Sequence, residues 1–222
     1  MTETTMANSQ QTRIVLIRHG QTVWNRDERF RGQTDVALDA MGLAQAEATG
    51  RYVARRWPVS IVYTSPLKRA FQTAEAIARP QGVVVEPTEY LIDIHFGDWQ
   101  GELAMEIARR NPDLIRAWME APHTVRFPGG ESLEIVRHRL TEMLNDLLPR
   151  HAGKTIALVG HSVVNRVLLC IVLGWGNERF WRVQQDTCAV NVFDAQMCGA
   201  DITYTVCLIN DTGHLEHLSD AN

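Results

Sequence analysis

Short apolar runs alternate with longer segments of helical periodicity along most of the chain. Apolar, β-branched runs of the kind found in buried strands occur at residues 12–17, 60–64, 83–86, 155–159, 188–193 and 204–209. Apolar residues at helical spacing occur at 39–56, 67–79, 102–111, 112–120, 131–148 and 163–173, with Asp39 placed as an N-cap. This alternation predicts an α/β fold: a three-layer sandwich with a mainly parallel central sheet flanked by helices.

The 222 residues suit one domain with a single core. We expect residues 1–11 to be a disordered N-terminal tail, not a signal peptide, and residues 12–222 to form the domain. The net charge of -4 predicts neither a nucleic-acid nor a membrane partner, and no apolar run is long enough to cross a bilayer. The cysteines lack CxxC spacing, which predicts reduced, buried thiols and a cytoplasmic location. They are Cys170, Cys188, Cys198 and Cys207.

Polar residues stand where four of the predicted strands end, at the sheet edge where such folds bind ligands. They are Arg18 and His19, then Arg69, then an acid within residues 93–98, and last His161 and Ser162. Cations gathered at one edge repel one another unless an anion lies between them, and guanidinium groups bind phosphate oxygens in a fork. The two histidines indicate a catalytic site, because neutral imidazole is a nucleophile. Gly20 is expected to let the backbone approach the ligand and to supply an N–H.

Six blocks in a fixed order carry a resemblance to a known family. They read RHGQTVWN, FRGQTDVALDAMG, SPLKRAFQTA, FGDWQG, PGGES and VGHSVVNRVLL, and the match that contains them runs from about residue 13 to residue 173. The RHG tripeptide alone is a weak signal, but the ordered set resembles the histidine phosphatase (phosphoglycerate mutase-like) superfamily. The resemblance implies that family's fold and a metal-independent phosphatase that forms a phosphohistidine and needs no cofactor.

The resemblance also implies a role for each matching residue. His19 would attack the phosphorus atom, and Asn25 would reach the phosphate from the same loop. The groups that would hold the phosphoryl oxygens are Arg18, Arg69 and His161. The mouth of the site would be lined by Arg31, Gly32 and Gln33. Fixed arginines would stabilise the negative charge of the phosphoryl group, as magnesium does in other phosphoryl-transfer enzymes. No acids or histidines stand at metal-ligand spacing in the sequence.

One block departs from the family pattern. The stretch LIDIHFGDWQG has Asp93 where the family usually has glutamate, and Gln100 at a later glutamate position. Asp93 is one methylene shorter, and a general acid must come within hydrogen-bond distance of its target. Three interpretations stay open. Asp93 is the acid, His95 on the same side of the segment is the acid, or protonation is impaired and the chain is a weakly active phosphoester-binding module.

Ser162 stands where the family often has glycine. Its hydroxyl either touches the phosphate or caps the following helix, and we favour the cap. GHSVV also resembles the G-x-S-x-G elbow of serine hydrolases, with Asp186 or Asp194 and then His214 as partners. Val164 occupies the position where that turn needs a small residue, which argues against a serine hydrolase.

The family's mutases read GW-x-D after the RHG block and carry a longer insertion before the GES segment, so GQTD and the short insertion favour a phosphatase. Mutase-type phosphoryl transfer is the alternative. Residues 102–130 are expected to form a helical cap region that sets specificity for a small phosphorylated substrate. The arginines of this region, which meet a substrate carboxylate or form a solvated face, are Arg109, Arg110, Arg116 and Arg126. A homodimer, common among members of the family, stays open, as does the choice of phosphoester.

Overall fold

The computed structural model describes residues 11–199 and 201–219. Its strands are Thr12–Arg18 (β1), Val62–Thr64 (β2), Val85–Pro87 (β3), Thr155–Gly160 (β4), Val190–Cys198 (β5) and Asp201–Asp211 (β6). Its α-helices are Val23–Arg26 (α1), Ala40–Arg56 (α2), Lys68–Ala78 (α3), Ala104–Arg110 (α4), Pro112–Glu120 (α5), Leu133–Arg150 (α6), Ser162–Val172 (α7) and Glu216–Ser219 (α8). The predicted N-terminal tail lies outside the described residues except for Gln11.

The strands form one sheet in the order β3-β2-β4-β1-β5-β6. The first four strands of the chain run parallel, whereas β5 is antiparallel to β1 and β6 is antiparallel to β5. The prediction of a mainly parallel sheet is therefore confirmed. In the central pair, Arg18 lies opposite Gly160, so β1 and β4 end at the same level of the sheet. The residues that follow them, His19 and His161, consequently leave the sheet side by side.

Alternation of side chains along the central strands explains the three layers. Ile14 and Leu16 of β1 belong to the hydrophobic cluster that contains the buried faces of α6 and α7. Val15 and Ile17 belong to the cluster on the opposite side, which contains Val53 of α2 and most of the buried apolar residues of α3. All four side chains are fully buried, so each face of the sheet is covered by its own pair of helices.

Most element boundaries follow the sequence pattern, with local departures. Asp39 caps α2 as predicted, since its side chain accepts a hydrogen bond of 2.8 Å from the N–H of Gly42. The helix predicted at 102–111 begins only at Ala104, because Leu103 forms a β-bridge with Arg29. The β5–β6 hairpin is longer than predicted. Its outer residues are exposed, so their sequence lacks the apolar pattern from which a buried strand can be predicted.

The cysteines are free in the structure, but only two of them are buried. Cys170 and Cys188 lie in the interior, whereas Cys198 and Cys207 lie exposed on the β5–β6 hairpin. The expectation of burial is therefore wrong for the latter pair, because Cys198 lies in the exposed last three residues of β5 and Cys207 occupies an exposed position of the alternating edge strand β6. Within residues 11–199 and 201–219, no helix combines the length and apolar character that a bilayer crossing requires.

Candidate active site

The carboxyl ends of β1 and β4 bring two imidazole rings together. The ring centroids of His19 and His161 lie 5.1 Å apart, and both residues are fully buried. Arg18 ends β1, Arg69 comes from the first turn of α3, and Asp93 comes from the segment after β3. The predicted catalytic residues therefore converge on one end of the sheet, from elements spread over much of the chain.

His19 is held as a neutral ring with a free nitrogen. Its Nδ1 lies 2.7 Å from the carbonyl oxygen of Gly20. Because a carbonyl can only accept, Nδ1 carries the proton and Nε2 keeps its lone pair. Burial lowers the pKa of His19 well below its ordinary value, and the charges of Arg69 and Arg18 lower it further. The buried Nε2 has no partner within the described protein, which is the arrangement of a nucleophile.

Arg69 is fully buried and its donors are largely used by the protein. Its Nη1 and Nη2 donate to the carbonyl oxygens of Thr34 and Gly32 at 2.8 and 2.7 Å. Its Nε donates to Nδ1 of His161 at 3.1 Å. Burial, and then the charge of Arg69, lower the pKa of His161 well below its ordinary value. The neutral His161 ring therefore carries its proton on Nε2, a buried atom without a protein partner that can donate to a ligand.

Arg18 and Arg31 have donors that the described protein does not use. Nη1 of Arg18 donates to the carbonyl oxygen of Gln185 at 2.6 Å, and Nη1 of Arg31 reaches the carbonyl oxygen of Trp24 at 3.3 Å. The Nε atoms of both arginines are buried without partners. Burial lowers the pKa of Arg18 to about 9 and also lowers that of Arg31. An oxyanion would accept hydrogen bonds from these free donors and would offset the repulsion between the neighbouring cations.

Asp93 lies against the buried cation. Its Oδ2 is 3.4 Å from Nη2 of Arg69 and 3.8 Å from Nδ1 of His161, while its Oδ1 accepts from the N–H of Ile94 at 3.0 Å. Burial raises the pKa of Asp93, although the charges of Arg69 and Arg31 oppose that effect. A buried carboxyl group with a raised pKa is suited to hold and release a proton.

His95, the other candidate acid, makes contacts elsewhere. Its Nδ1 accepts a hydrogen bond of 3.0 Å from the backbone N–H of Gly97. Within the described residues, no hydrogen bond, ion pair or ring contact joins His95 to His19 or His161. The geometry therefore favours Asp93 as the proton donor.

The residues predicted to line the mouth of the site also support its charged groups. Gly32 adopts a left-handed φ of 50° and offers its carbonyl oxygen to Arg69. Gln33 donates from Nε2 to the carbonyl oxygen of Asp93 at 3.0 Å and from its backbone N–H to Oε1 of Gln100 at 2.7 Å. Gln100, a departure from the family pattern, thus helps to hold the segment that carries the candidate acid.

Two residues expected to bind substrate are partly engaged by the protein. The N–H of Gly20 donates to Oγ1 of Thr73 at 3.1 Å, so it is not free for a ligand. A Cβ at Gly20 would lie 2.6 Å from the carbonyl oxygen of Gly42, so glycine is needed there for the close approach of α2. Oδ1 of Asn25 accepts from the N–H and Oγ1 of Thr22 at 3.0 and 2.9 Å. This capping interaction leaves only the carboxamide nitrogen of Asn25 for a phosphate.

The favoured interpretation of Ser162 as a helix cap is wrong. His161 is the N-cap of α7, and Ser162 is the first helical residue, without a capping hydrogen bond. Its hydroxyl oxygen accepts from Nη1 of Arg166, one turn further along the helix. The serine hydrolase interpretation fails as well, because Nε2 of His214 bonds to Oγ1 of Thr49 at 2.9 Å instead of approaching Ser162.

Sequence reasoning missed two residues beside Arg18. Gln185 supplies the backbone oxygen that binds its guanidinium, and the charge of Arg166 acts on it. Arg166 stands within the block VGHSVVNRVLL, so its place in the matched pattern was a usable signal. Gln185 had none, because every residue offers a backbone carbonyl and only the fold decides which one is close.

The predicted cap region contains α4, α5 and a short 3-10 turn. Three of its arginines contact exposed neighbours on their own surface: Arg109 with Met105, Arg110 with Glu102, and Arg116 with Asp113. Arg126 is also exposed. These contacts favour the solvated-face interpretation, and control of specificity by the cap stays a prediction. Across the described part of the chain, no three histidines, cysteines or acids are grouped closely enough to hold a metal ion.

Comparison with known proteins agrees with this geometry. A family model described as the histidine phosphatase superfamily (branch 1) matches residues 14–207. Phosphoserine phosphatase 1 of Hydrogenobacter thermophilus is 34% identical over 180 residues, which are 81% of this chain and 85% of that protein.

Two solved structures share the fold. Bacillus stearothermophilus YhfR superimposes with a TM-score of 0.84 at 29% identity, over 92% of this chain and all of that one (100%). A mycobacterial glucosyl-3-phosphoglycerate phosphatase in complex with VO3 gives a TM-score of 0.81 at 28% identity, over 90% and 99% of the two chains. The chain therefore belongs to the histidine phosphatase superfamily, branch 1, and is a phosphatase by class.

Proposed function

We propose that the protein hydrolyses a small phosphomonoester through a phosphohistidine at His19, without a metal ion. The observation that carries the proposal is the pair of buried imidazoles, His19 and His161, whose unpartnered Nε2 atoms offer a lone pair and an N–H respectively. The unused donors of Arg18 and Arg31 beside them suit the oxygens of a phosphoryl group.

In the first step, Nε2 of His19 forms a bond to phosphorus as the bond from phosphorus to the leaving oxygen breaks. Asp93 transfers its proton to that oxygen, so the alcohol leaves neutral. Nδ1–H of His19 keeps its hydrogen bond with Gly20 and so stabilises the positive charge that develops on the ring. Arg18 and the Nε2–H of His161 bind the peripheral oxygens, where negative charge must be held throughout the transfer.

In the second step, water attacks the phosphohistidine and the ionised Asp93 accepts a proton from it. The bond from phosphorus to Nε2 breaks, inorganic phosphate leaves, and both His19 and Asp93 return to their starting protonation states. One carboxyl group thus serves as acid and then as base. Its raised pKa favours acceptance of that proton from water, so Asp93 is protonated when the next turnover begins.

We propose a metabolite-sized substrate. Two relatives are named for phosphatase activity on small phosphorylated acids, phosphoserine and glucosyl-3-phosphoglycerate. A cytoplasmic location is proposed from the free cysteines, and a homodimer stays a prediction.

Turnover of p-nitrophenyl phosphate in the presence of EDTA tests the chemistry. The wild-type protein should be active and form an acid-labile phosphoenzyme, and His19→Ala should lose nearly all activity. His138→Ala is the matched control, because His138 is an exposed residue of α6 paired with Glu142. Full activity of His19→Ala would rule out the mechanism. If the wild-type protein binds phosphate but neither it nor any variant hydrolyses p-nitrophenyl phosphate, the phosphoester-binding module would be favoured.

Mutase-type transfer is separable by product analysis. A phosphatase incubated with 3-phosphoglycerate should release inorganic phosphate only, because the open phosphoenzyme is attacked by water. Net formation of 2-phosphoglycerate would favour the mutase alternative.

A further inference from the structure

The guanidinium of Arg18 is held by one protein atom. Its only hydrogen bond within the described residues is the one to the carbonyl oxygen of Gln185, at 2.6 Å. Arg18 is buried, and the charges of Arg31 and Arg166 repel it while those of Asp93 and Asp186 attract it. Among the described residues, one carbonyl oxygen is therefore the only hydrogen-bond acceptor that fixes the direction of its guanidinium.

That carbonyl belongs to a residue whose side chain is itself fixed. The side chains of Gln185 and Asn191, here called the amide pair, bond to each other twice, at 2.8 and 3.0 Å. Nε2 of Gln185 also donates to the carbonyl oxygen of Gln184 at 2.7 Å, and Nδ2 of Asn191 donates to that of Leu16 at 3.0 Å. Gln185 is 1% exposed and Asn191 0%. All four amide N–H groups of the pair thus have hydrogen-bond partners in a buried environment.

The hydrogen bonds close a ring that begins and ends on β1. Leu16 stands two residues before Arg18 on that strand, and it is the β-sheet partner of Asn191. The path from Arg18 through Gln185 and Asn191 to Leu16 therefore returns to the strand that carries the cation. A rigid strand thereby sets the position of the oxygen that orients its own terminal arginine.

Both sides of Gln185 in the chain are anchored as well. Nε of Arg166 donates to the carbonyl oxygen of Val183 at 2.8 Å. Asn210 accepts from the N–H of Asp186 and donates to its carboxylate, both at 2.8 Å. The loop of residues 183–187 is consequently held by hydrogen bonds at Val183, at Gln185 of the amide pair, and at Asp186.

We propose that Asn191 is a positioning residue that, through Gln185, orients Arg18 to bind the phosphoryl group. The proposal rests on the phosphoryl-binding role of Arg18 proposed above. A pair of apolar side chains would fill the same space without any need for hydrogen-bond partners. A fully satisfied buried amide pair instead specifies one geometry, because each displaced N–H or carbonyl would lose its partner in a low-dielectric interior.

Binding of inorganic phosphate by calorimetry, with the melting temperature measured on the same samples, tests the proposal. Asn191→Leu and the milder Gln185→Met should each weaken phosphate binding about tenfold or more, the cost of misplacing a charged hydrogen bond. Asn177→Leu is the matched control. Asn177 is another buried asparagine, but it bonds to Arg137 and Glu134 at 3.3 and 3.2 Å, so its loss should lower the melting temperature without changing phosphate affinity.

A double-mutant cycle separates positioning from a general structural role. Once Arg18→Ala has removed the guanidinium, adding Gln185→Met should produce no further loss of phosphate affinity. Full additivity of the two losses, or unchanged affinity in both single variants of the amide pair, would overturn the proposal while leaving the proposed function intact. Absence of phosphate binding by the wild-type protein would overturn both.

Discussion

His19 and His161 carry their protons on opposite ring nitrogens. Nδ1 of His19 donates to a carbonyl oxygen, whereas Nδ1 of His161 accepts from Nε of Arg69. The two Nε2 atoms therefore differ in kind, because that of His19 offers a lone pair and that of His161 an N–H, although both rings are neutral and buried. The backbone of Gly20 and the side chain of Arg69 thus assign the two roles before any substrate arrives.

This assignment predicts the effect of Arg69→Lys. A lysine Nζ cannot keep hydrogen bonds with the carbonyl oxygen of Gly32 and with Nδ1 of His161 in the same geometry, so His161 would lose its fixed tautomer. We expect kcat to fall on the order of 10²–10³-fold, the cost of losing one oxyanion donor. Steady-state kinetics and ¹⁵N NMR of the ring nitrogens measure the two effects.

The control for that substitution is Arg13→Lys. Arg13 also makes a two-pronged contact, with Asp194 at 2.7 and 2.8 Å, but it lies at the opposite end of β1. Its replacement should leave kcat and the His161 tautomer unchanged. Equal losses of activity in both variants would show that Arg69 acts only through stability.

Asp93→Asn should distinguish substrates by their leaving groups. Alkyl phosphates need a proton on the departing oxygen, whereas p-nitrophenolate leaves readily without one. We expect kcat for an alkyl phosphate to fall on the order of 10²–10⁴-fold, with a much smaller loss for p-nitrophenyl phosphate. Parallel losses for the two substrates would argue that Asp93 is not the acid, and His95→Gln would then be the variant to compare.

The raised pKa of Asp93 predicts a decline of kcat on the alkaline side of the pH profile. Burial raises the pKa of Asp93, so the protonated acid persists above its ordinary range and is lost as the pH rises through the raised value. For an alkyl phosphate, kcat should therefore decline on the alkaline side in the wild type. Asp93→Asn should lack that decline, and an unchanged alkaline limb in this variant would assign it to another group.

The histidines predict the acid side of the stability profile. In the ligand-free protein the pKa values of His19 and His161 lie well below 6.5, so the unfolded chain binds more protons than the folded one below that pH. The free energy of unfolding should fall as the pH drops from 6.5 towards the folded-state values. Urea unfolding at several pH values measures this, and the double variant His19→Gln/His161→Gln should show a weaker dependence.

Much of the site could be predicted because strand ends are visible in sequence. Apolar runs stop at Arg18 and just before His161, and the parallel arrangement places those ends together. Arg69 and Asp93 follow by the same rule. Register and topology, which fix the distances, depend on contacts far apart in the chain and could only be expected in outline.

The sequence could not predict which hydrogen-bonding groups of the site are free to meet a ligand. Whether the N–H of Gly20 meets a ligand depends on its tertiary contact with Thr73. Whether the hydroxyl of Ser162 caps α7 depends on the residue at which that helix begins, and in the structure the hydroxyl accepts from Arg166 of the same helix. Both outcomes concern groups that have several possible partners. Sequence patterns report which side chains reach a site, and only the packed structure reports which of their atoms are already used.

Gly32 offers its carbonyl oxygen to Nη2 of Arg69 at 2.7 Å. Gly32 has a φ of 50°, and a Cβ there would lie 2.2 Å from Oε1 of Gln100. Gly32→Ala must therefore displace the side chain of Gln100, which binds the N–H of Gln33. We expect the carbonyl oxygen of Gly32, which accepts a hydrogen bond from Arg69, to shift with it.

A matched glycine separates this displacement from backbone strain. Gly82 has a similar φ of 64°, but a Cβ there would meet nothing within 4 Å. Both alanine variants should lose about 1 kcal/mol of stability from the left-handed backbone. Only Gly32→Ala should also lose phosphate affinity and kcat, by about tenfold or more, because it alone shifts groups that support the site. Equal stability loss with undiminished activity in Gly32→Ala would contradict the prediction and would mean that the loop relaxes without moving Arg69.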